Sequence, residues 1–195
     1  MPEHAPPSVP ELDQMEHDAL DFFRTYEEDI QLILRNPRLL MEGEEWKNFT
    51  AFIAYLDSAL AKSTLPRETL LFRGMGREIA GSFLFMLDMK AEKGEGGVFT
   101  DLIPHIIRDP GYTILSTDPE TILQELPGDE WETRVVFACL GRPGDTAIVL
   151  DEEAGEVLYP RNANWVTTGA TTVLIDQTPV VVIGIEMAGC GEEIA

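Results

Sequence analysis

The amino-acid sequence predicts an α+β fold: helices first, then a largely antiparallel β half. Three observations carry this. Apolar residues recur at steps of three or four up to about Pro66, and the period shifts to two after Pro110-Gly111. The strand-like runs then follow one another too closely to hold the crossover helices of a parallel sheet. With 195 residues, the chain is long enough to bury roughly 70% of its unfolded surface without a disulfide or metal staple. A hydrophobic content of 44% rules out wholesale disorder.

Residues 1–14 are Pro-rich and acidic and read as a loosely attached arm, leaving 15–195 as a single domain. The first helix shows Leu20, Phe23, Ile30, Ile33 and Leu34 at helical spacing, and Asn36-Pro37 ends it. A second helix carries Trp46, Phe49, Ile53, Leu56 and Leu60, with Pro66 at its exit; both stripes read as core. Thr69 to Gly74 reads as a short strand, 77–90 as helical, and 92–97 as a glycine-rich loop. Leu102 to Ile107 is ambiguous because Pro104 interrupts it. Strands are then expected at 112–116, 133–140, 147–150, 156–159, 163–168, 171–175 and 180–187, all rich in Val, Ile, Thr and aromatics. Asp118-Pro119-Glu120 reads as the N-cap and first turn of a short helix running to Leu126.

Acidity narrows the partners. Fourteen Lys and Arg against 35 Asp and Glu give a net charge of −21. Nucleic acid and anionic membranes both need a basic footprint, and no dense Lys/Arg run exists. A cationic macromolecule is the natural partner, although solubility alone accounts for such a charge. Cys139 and Cys190 are too few for a disulfide scaffold, and without clustered His they make no zinc site. Cys139 reads as a core residue. The N-terminus has neither a basic nor an apolar signal region, so a cytoplasmic location, or delivery as an effector without a classical signal peptide, is expected. The glycines fit neither a dinucleotide fingerprint nor a P-loop, and the three His lie far apart.

Three segments place a polar residue in an apolar strand setting. Arg73, in Leu71-Phe72-Arg73-Gly74-Met75, keeps its charge and needs an anion or an acidic partner; alone it fits a structural ion pair best. Ser116-Thr117-Asp118 alone is a strand end followed by a cap. Glu156, which leads a strand, alone simply faces solvent.

Their order, however, resembles the arginine-serine-glutamate group of ADP-ribosyltransferases, which spans bacterial toxins, phage enzymes and vertebrate ecto-enzymes. The family's aromatic-Arg-Gly strand, Ser-Thr-Ser strand end and Glu-x-Glu ahead of a Leu-x-Pro-Arg strand correspond to Phe72-Arg73-Gly74, Ser116-Thr117-Asp118, and Ala154-Gly155-Glu156 leading into Leu158-Tyr159-Pro160-Arg161. Tyr26-x3-Ile30-Gln31-x2-Leu34-Arg35 is similar to the family's early Tyr-x-x-Ile-Asn-x-x-Leu-Arg helix. Leu56-Asp57-Ser58-Ala59-Leu60 with Leu65-Pro66 resembles the lead-in to the Arg strand, and a β-hairpin from Val135 through Pro143-Gly144 to Leu150 fits as well.

The resemblance implies a split β-core and cleavage of the nicotinamide–ribose bond of NAD, with no metal. It assigns Glu156, Ser116 and Arg73 to catalysis: Glu156 stabilising the oxocarbenium-like ribose through its 2′-hydroxyl, Ser116 orienting that carboxylate, and Arg73 holding the diphosphate. Gly74, Arg35 and Thr117 complete the expected NAD site, with Tyr112 or Phe137 as candidate rings beside the nicotinamide. The implied partner is a protein acceptor, basic in character and modified on arginine, with no oligomeric state implied. Ala154 departs from the family's first glutamate, the residue that orients an acceptor guanidinium. This keeps two alternatives open: an NAD glycohydrolase with water as acceptor, and a catalytically retired binding module. Glu152 and Glu153 precede Ala154; a bulge would bring Glu153 into service, but strand alternation puts it on the opposite face.

Overall fold

The computed structural model describes residues 11–36, 39, 43–75, 98–99, 106–125, 134–175 and 178–190. The expected helix at 77–90, the loop at 92–97 and most of the N-terminal arm lie outside these residues. Three helices are described: α1 (Gln14–Arg35), α2 (Glu44–Lys62) and α3 (Pro119–Glu125). The strands are β1 (Thr69–Gly74), β2 (Val98–Phe99), β3 (Ile106–Asp109), β4 (Thr113–Ser116), β5 (Arg134–Gly141), β6 (Ile148–Asp151), β7 (Glu156–Tyr159), β8 (Ala163–Ile175) and β9 (Thr178–Cys190). They form one sheet ordered β2-β8-β9-β5-β1-β4-β7-β6, with β3 also on β8. All described pairings are antiparallel except β5 with β9.

The capping box of α1 is closed in both directions: the Asp13 carboxylate accepts from the Glu16 N–H at 3.0 Å, and Glu16 accepts from the Asp13 N–H at 2.8 Å. Glu16 is 1% exposed and accepts from Ser58 on α2 at 2.7 Å while pairing with Lys62. This ties the two helices at one end. The Lys62 hydrogen bond, followed by that of Ser58, lowers the Glu16 carboxyl from 4.5 to about 2. The folded value lies below the unfolded one, so the tie contributes stability above about pH 4.5 and loses it as pH falls towards 2. The Tm advantage of the wild type over Glu16→Gln should therefore be constant near neutrality and shrink between pH 4.5 and pH 2 in a thermal melt series.

Two large cores flank the sheet, with a smaller cluster of Leu123, Val136 and Val180. One joins α1 and α2 to the β6/β7 side through Phe23, Ile30, Leu56, Leu60 and Leu158; the other gathers Leu71, Leu115, Cys139, Tyr159, Trp165 and Ile183. Cys139 is buried there as expected, and burial pushes its thiol up to about 12. The helix stripes do not all enter the core. Trp46 is 36% exposed, lining an open groove between α1 and α2.

Two expectations about strands are corrected. The run from Val135 to Leu150 is not a hairpin: β5 pairs with β1 and β9, whereas β6 pairs with β7. The turn between them is captured by the chain leaving α2: Gly144 donates to Leu65 O at 3.0 Å and Leu65 donates to Asp145 O at 2.9 Å, which sends β6 to the other side of the sheet. The expected strands 163–168 and 171–175 are one strand, β8, with an irregularity between Thr167 and Gly169.

β1 and β4 share one registered pair, Phe72 with Ser116. Beyond it the strands part, leaving Arg73 and Gly74 paired with β5 alone. This seam divides the β-core and leaves room for a site.

Candidate active site

The seam opens into a cavity of about 800 Å³ whose lining includes Arg35, Arg73, Gly74, Ser116, Thr117 and Glu156. That volume lies within the ~300–1,000 Å³ usual for ligand sites. A second cavity of about 430 Å³ adjoins it and shares Arg35, Arg73 and Gly74. The residues singled out as NAD-binding thus line one cavity, although they come from α1, β1, β4 and β7.

Each is placed by local structure. Glu156 opens β7 opposite Ser116. The preceding turn is held by the Asp151 carboxylate, which accepts from the N–H groups of Glu153 at 2.7 Å and Ala154 at 2.9 Å. Gly155 completes it at φ 68°, and a side chain there would lie 1.9 Å from the Thr117 hydroxyl. Only glycine meets both demands. Thr117 then donates its N–H to Gly155 O at 2.9 Å, so the end of β4 is bonded to the turn that precedes Glu156.

The Ser116 hydroxyl differs from its expected arrangement. It accepts from the Asp118 N–H at 3.0 Å and donates to Ala154 O at 3.5 Å, rather than to the Glu156 carboxylate. Strand-end geometry brings the backbone of the turn nearer than the carboxylate. Asp118 caps α3 as read, accepting from Thr121 at 2.7 Å and from the Glu120 N–H at 2.9 Å.

Asp109, which the sequence reading missed, organises the cationic end. Arg35 donates to it twice at 2.9 Å, Arg73 donates at 3.1 Å, and the Gly111 N–H donates at 3.0 Å. Burial works to raise this carboxyl, but the Arg35 hydrogen bonds and the nearby charge of Arg73 outweigh it and hold it below the usual carboxylate range. Two guanidiniums share one carboxylate, and among the described residues their other N–H groups make no hydrogen bond, which leaves them for a ligand. Gly111 also leaves room here: a side chain would displace the Gln31 amide. The available signal was the Asp-Pro-Gly turn ahead of a strand, which reads as punctuation.

The same lining is rich in carboxylates, with Glu27, Glu28 and Glu153 joining Glu156. Burial, then the Glu156 carboxylate, raises Glu27 above the usual range. Glu153 lines the cavity although strand alternation put it on the other face; the Asp151 turn, where the β6/β7 register shifts, breaks that alternation.

Of the candidate rings, Tyr112 is fully buried against Phe23 and its hydroxyl donates to Asp57 at 2.7 Å, so it is a core residue. Phe137 lines the second cavity together with Trp165. Asp57 also accepts from Arg161 Nη2 at 2.8 Å. Two segments that carried the resemblance therefore clip the helical half to the strand half.

The fold and this seam place the chain in a structural class: it has the fold of the bacterial ADP-ribosyltransferase toxins. It is similar to Plx2a, an ADP-ribosyltransferase toxin from Paenibacillus larvae, at 16% identity over 91% of this chain and 88% of that one, with a TM-score of 0.67. The Clostridium limosum C3 exoenzyme is similar at 14% identity over 93% and 89%, with a TM-score of 0.62. The enzymatic component C2-I of the Clostridium botulinum C2 toxin is similar at 14% identity over 93% of this chain and 44% of that one, with a TM-score of 0.68. No protein-family model matches the chain, and no curated protein sequence matches it.

Proposed function

We propose that this protein transfers ADP-ribose from NAD to a protein side chain and releases nicotinamide. One observation carries the reading: two arginines bridged by Asp109 line the same cavity as Glu156 and Ser116. The solved structures similar to this chain include the ADP-ribosylating toxin BECa of Clostridium perfringens, crystallised with NADH.

Arg35 and Arg73 hold the diphosphate through forked, permanently charged donors. Glu156 accepts a hydrogen bond from the 2′-hydroxyl of the nicotinamide ribose and stabilises the positive charge that grows as the C1′–N bond breaks, its electron pair leaving with neutral nicotinamide. Ser116 and Thr117 brace the turn that carries Glu156. The acceptor attacks C1′ and gives up a proton.

The acceptor side chain in this reading is arginine. Ala154 removes the expected carboxylate, but Glu153 and Glu27 supply two others in the same cavity. Ala154 equally favours a second reading in which water is the acceptor. Incubating the full chain with NAD labelled in the adenylate half, together with a mixture of basic proteins, separates them. Label should appear on protein and be lost on treatment that cleaves arginine-linked ADP-ribose. Free nicotinamide without labelled protein would establish the glycohydrolase, and neither product from folded protein would leave a binding module.

A further inference from the structure

The face of α1 and α2 turned away from the sheet carries a second cavity system that the NAD site does not use. It is an open groove of about 640 Å³ between the two helices, lined by Met15, Asp18, Phe22, Phe49, Phe52 and Tyr55 among others. Aromatic rings run along it in unbroken succession. Tyr26 to Phe22 is 4.6 Å between centroids, Phe22 to Phe52 4.9 Å, Phe52 to Phe49 6.3 Å and Phe49 to Trp46 6.0 Å. Phe22 is 46% exposed, Tyr26 47% and Tyr55 36%. Scattered exposed apolar residues need no explanation, but a continuous ladder of large rings beside a groove is the mark of an interaction site.

The charge around it selects the occupant. Asp18 lies in the lining, where it accepts only from Gln14 Nε2 at 2.8 Å, and Asp29 is exposed on the same helix; neither is ion-paired among the described residues. Of the exposed arginines of α1, Arg24 is taken by Asp21 and the Leu150 carbonyl, and Arg35 by Asp109. A net charge of −21 repels an anionic lipid surface and a second copy alike. Apolar rings bordered by unpaired carboxylates fit a helix with an apolar stripe flanked by Lys or Arg. The position supplies the purpose. α1 presents Phe22 to the groove and Glu27, Gln31 and Arg35 to the active-site cavity, and Phe22 and Glu27 are only about 7.5 Å apart along the helix axis.

We infer that this groove is a docking site for a basic amphipathic helix of the acceptor protein, which holds the acceptor beside the NAD cavity; this rests on the proposed transferase reading. The probe is an 18-residue helical peptide of Leu and Lys carrying one Arg, with a Leu/Glu/Arg peptide of the same apolar pattern as control. Calorimetry on the full chain should show the basic peptide binding with a dissociation constant on the order of tens of micromolar and no heat from the acidic one. Phe22→Ser and Tyr55→Ser, which leave the charge unchanged, should each weaken the basic peptide at least fivefold while nicotinamide release with water as acceptor stays at the wild-type rate. Asp18→Lys, which leaves the ring ladder intact, should weaken the basic peptide as well. Unchanged affinity in the ring variants would mean that the peptide is held by general acidity, and it would overturn the proposal. So would a dimer broken by Phe22→Ser, or phosphatidylserine vesicles bound through the same rings. Ring-dependent peptide binding without any cleavage of NAD would refute the transferase reading and leave the docking surface standing.

Discussion

Glu156→Gln should slow nicotinamide release by about 10²–10³-fold, while the affinity for NAD stays within about twofold of wild type. The substitution keeps the shape and a hydrogen-bond acceptor for the ribose hydroxyl but removes the negative charge, which matters only as positive charge develops in the transition state. Nothing that positions residue 156 depends on that carboxylate. The Asp151 turn, Gly155 in its left-handed conformation and the cross-strand partner Ser116 all remain. The same variant should also lower the Glu27 carboxyl, because Glu156 is one of the two main causes that raise it. The low-pH limb of any remaining activity should then move to lower pH. Wild-type nicotinamide release from folded Glu156→Gln would remove Glu156 from the chemistry.

The second large effect is expected at Asp109. Asp109→Asn should weaken NAD binding by about tenfold, which is about 1.4 kcal/mol, with little change in the rate of cleavage once NAD is bound. The wild-type carboxylate accepts from Arg35, Arg73 and Gly111 together. An amide offers one oxygen and turns N–H donors towards a guanidinium, so one arginine is released and must be re-ordered each time a diphosphate binds. A competing effect has the opposite sign, since losing a carboxylate makes the cavity more positive. Organisation should outweigh it, because the carboxylate is largely buried and holds residues 74 and 36 positions away from it in the chain. Calorimetric titration with NAD decides: tighter binding by Asp109→Asn would make the carboxylate a competitor for the diphosphate site.

The sequence showed clearly where it spoke of neighbours in the chain. The capped start of α3 at Asp118, the short strand ending at Gly74 and the strand opening at Glu156 all lie where local pattern put them. Each depends on residues within a few positions: a capping carboxylate, a β-rich run, a turn glycine. The expected hairpin through Pro143-Gly144 failed for a nonlocal reason, because Leu65 pairs with the turn and redirects β6. Glu153 and Trp46 also ended on surfaces that simple periodicity denied them. A register shift moved the first, and the second lines the open groove between α1 and α2.

Local spacing by itself determined the helix-then-strand order, the α+β class and which polar residues stand at strand ends, since helix and strand periods are written in adjacent residues. Tertiary structure alone decided that Arg35, Arg73 and Asp109 meet, that Tyr112 belongs to the core and that an aromatic groove stays open between α1 and α2. These outcomes follow from long-range packing, where buried charge must find a partner and apolar surface must find cover, and no short stretch of chain encodes which partner or which cover it finds.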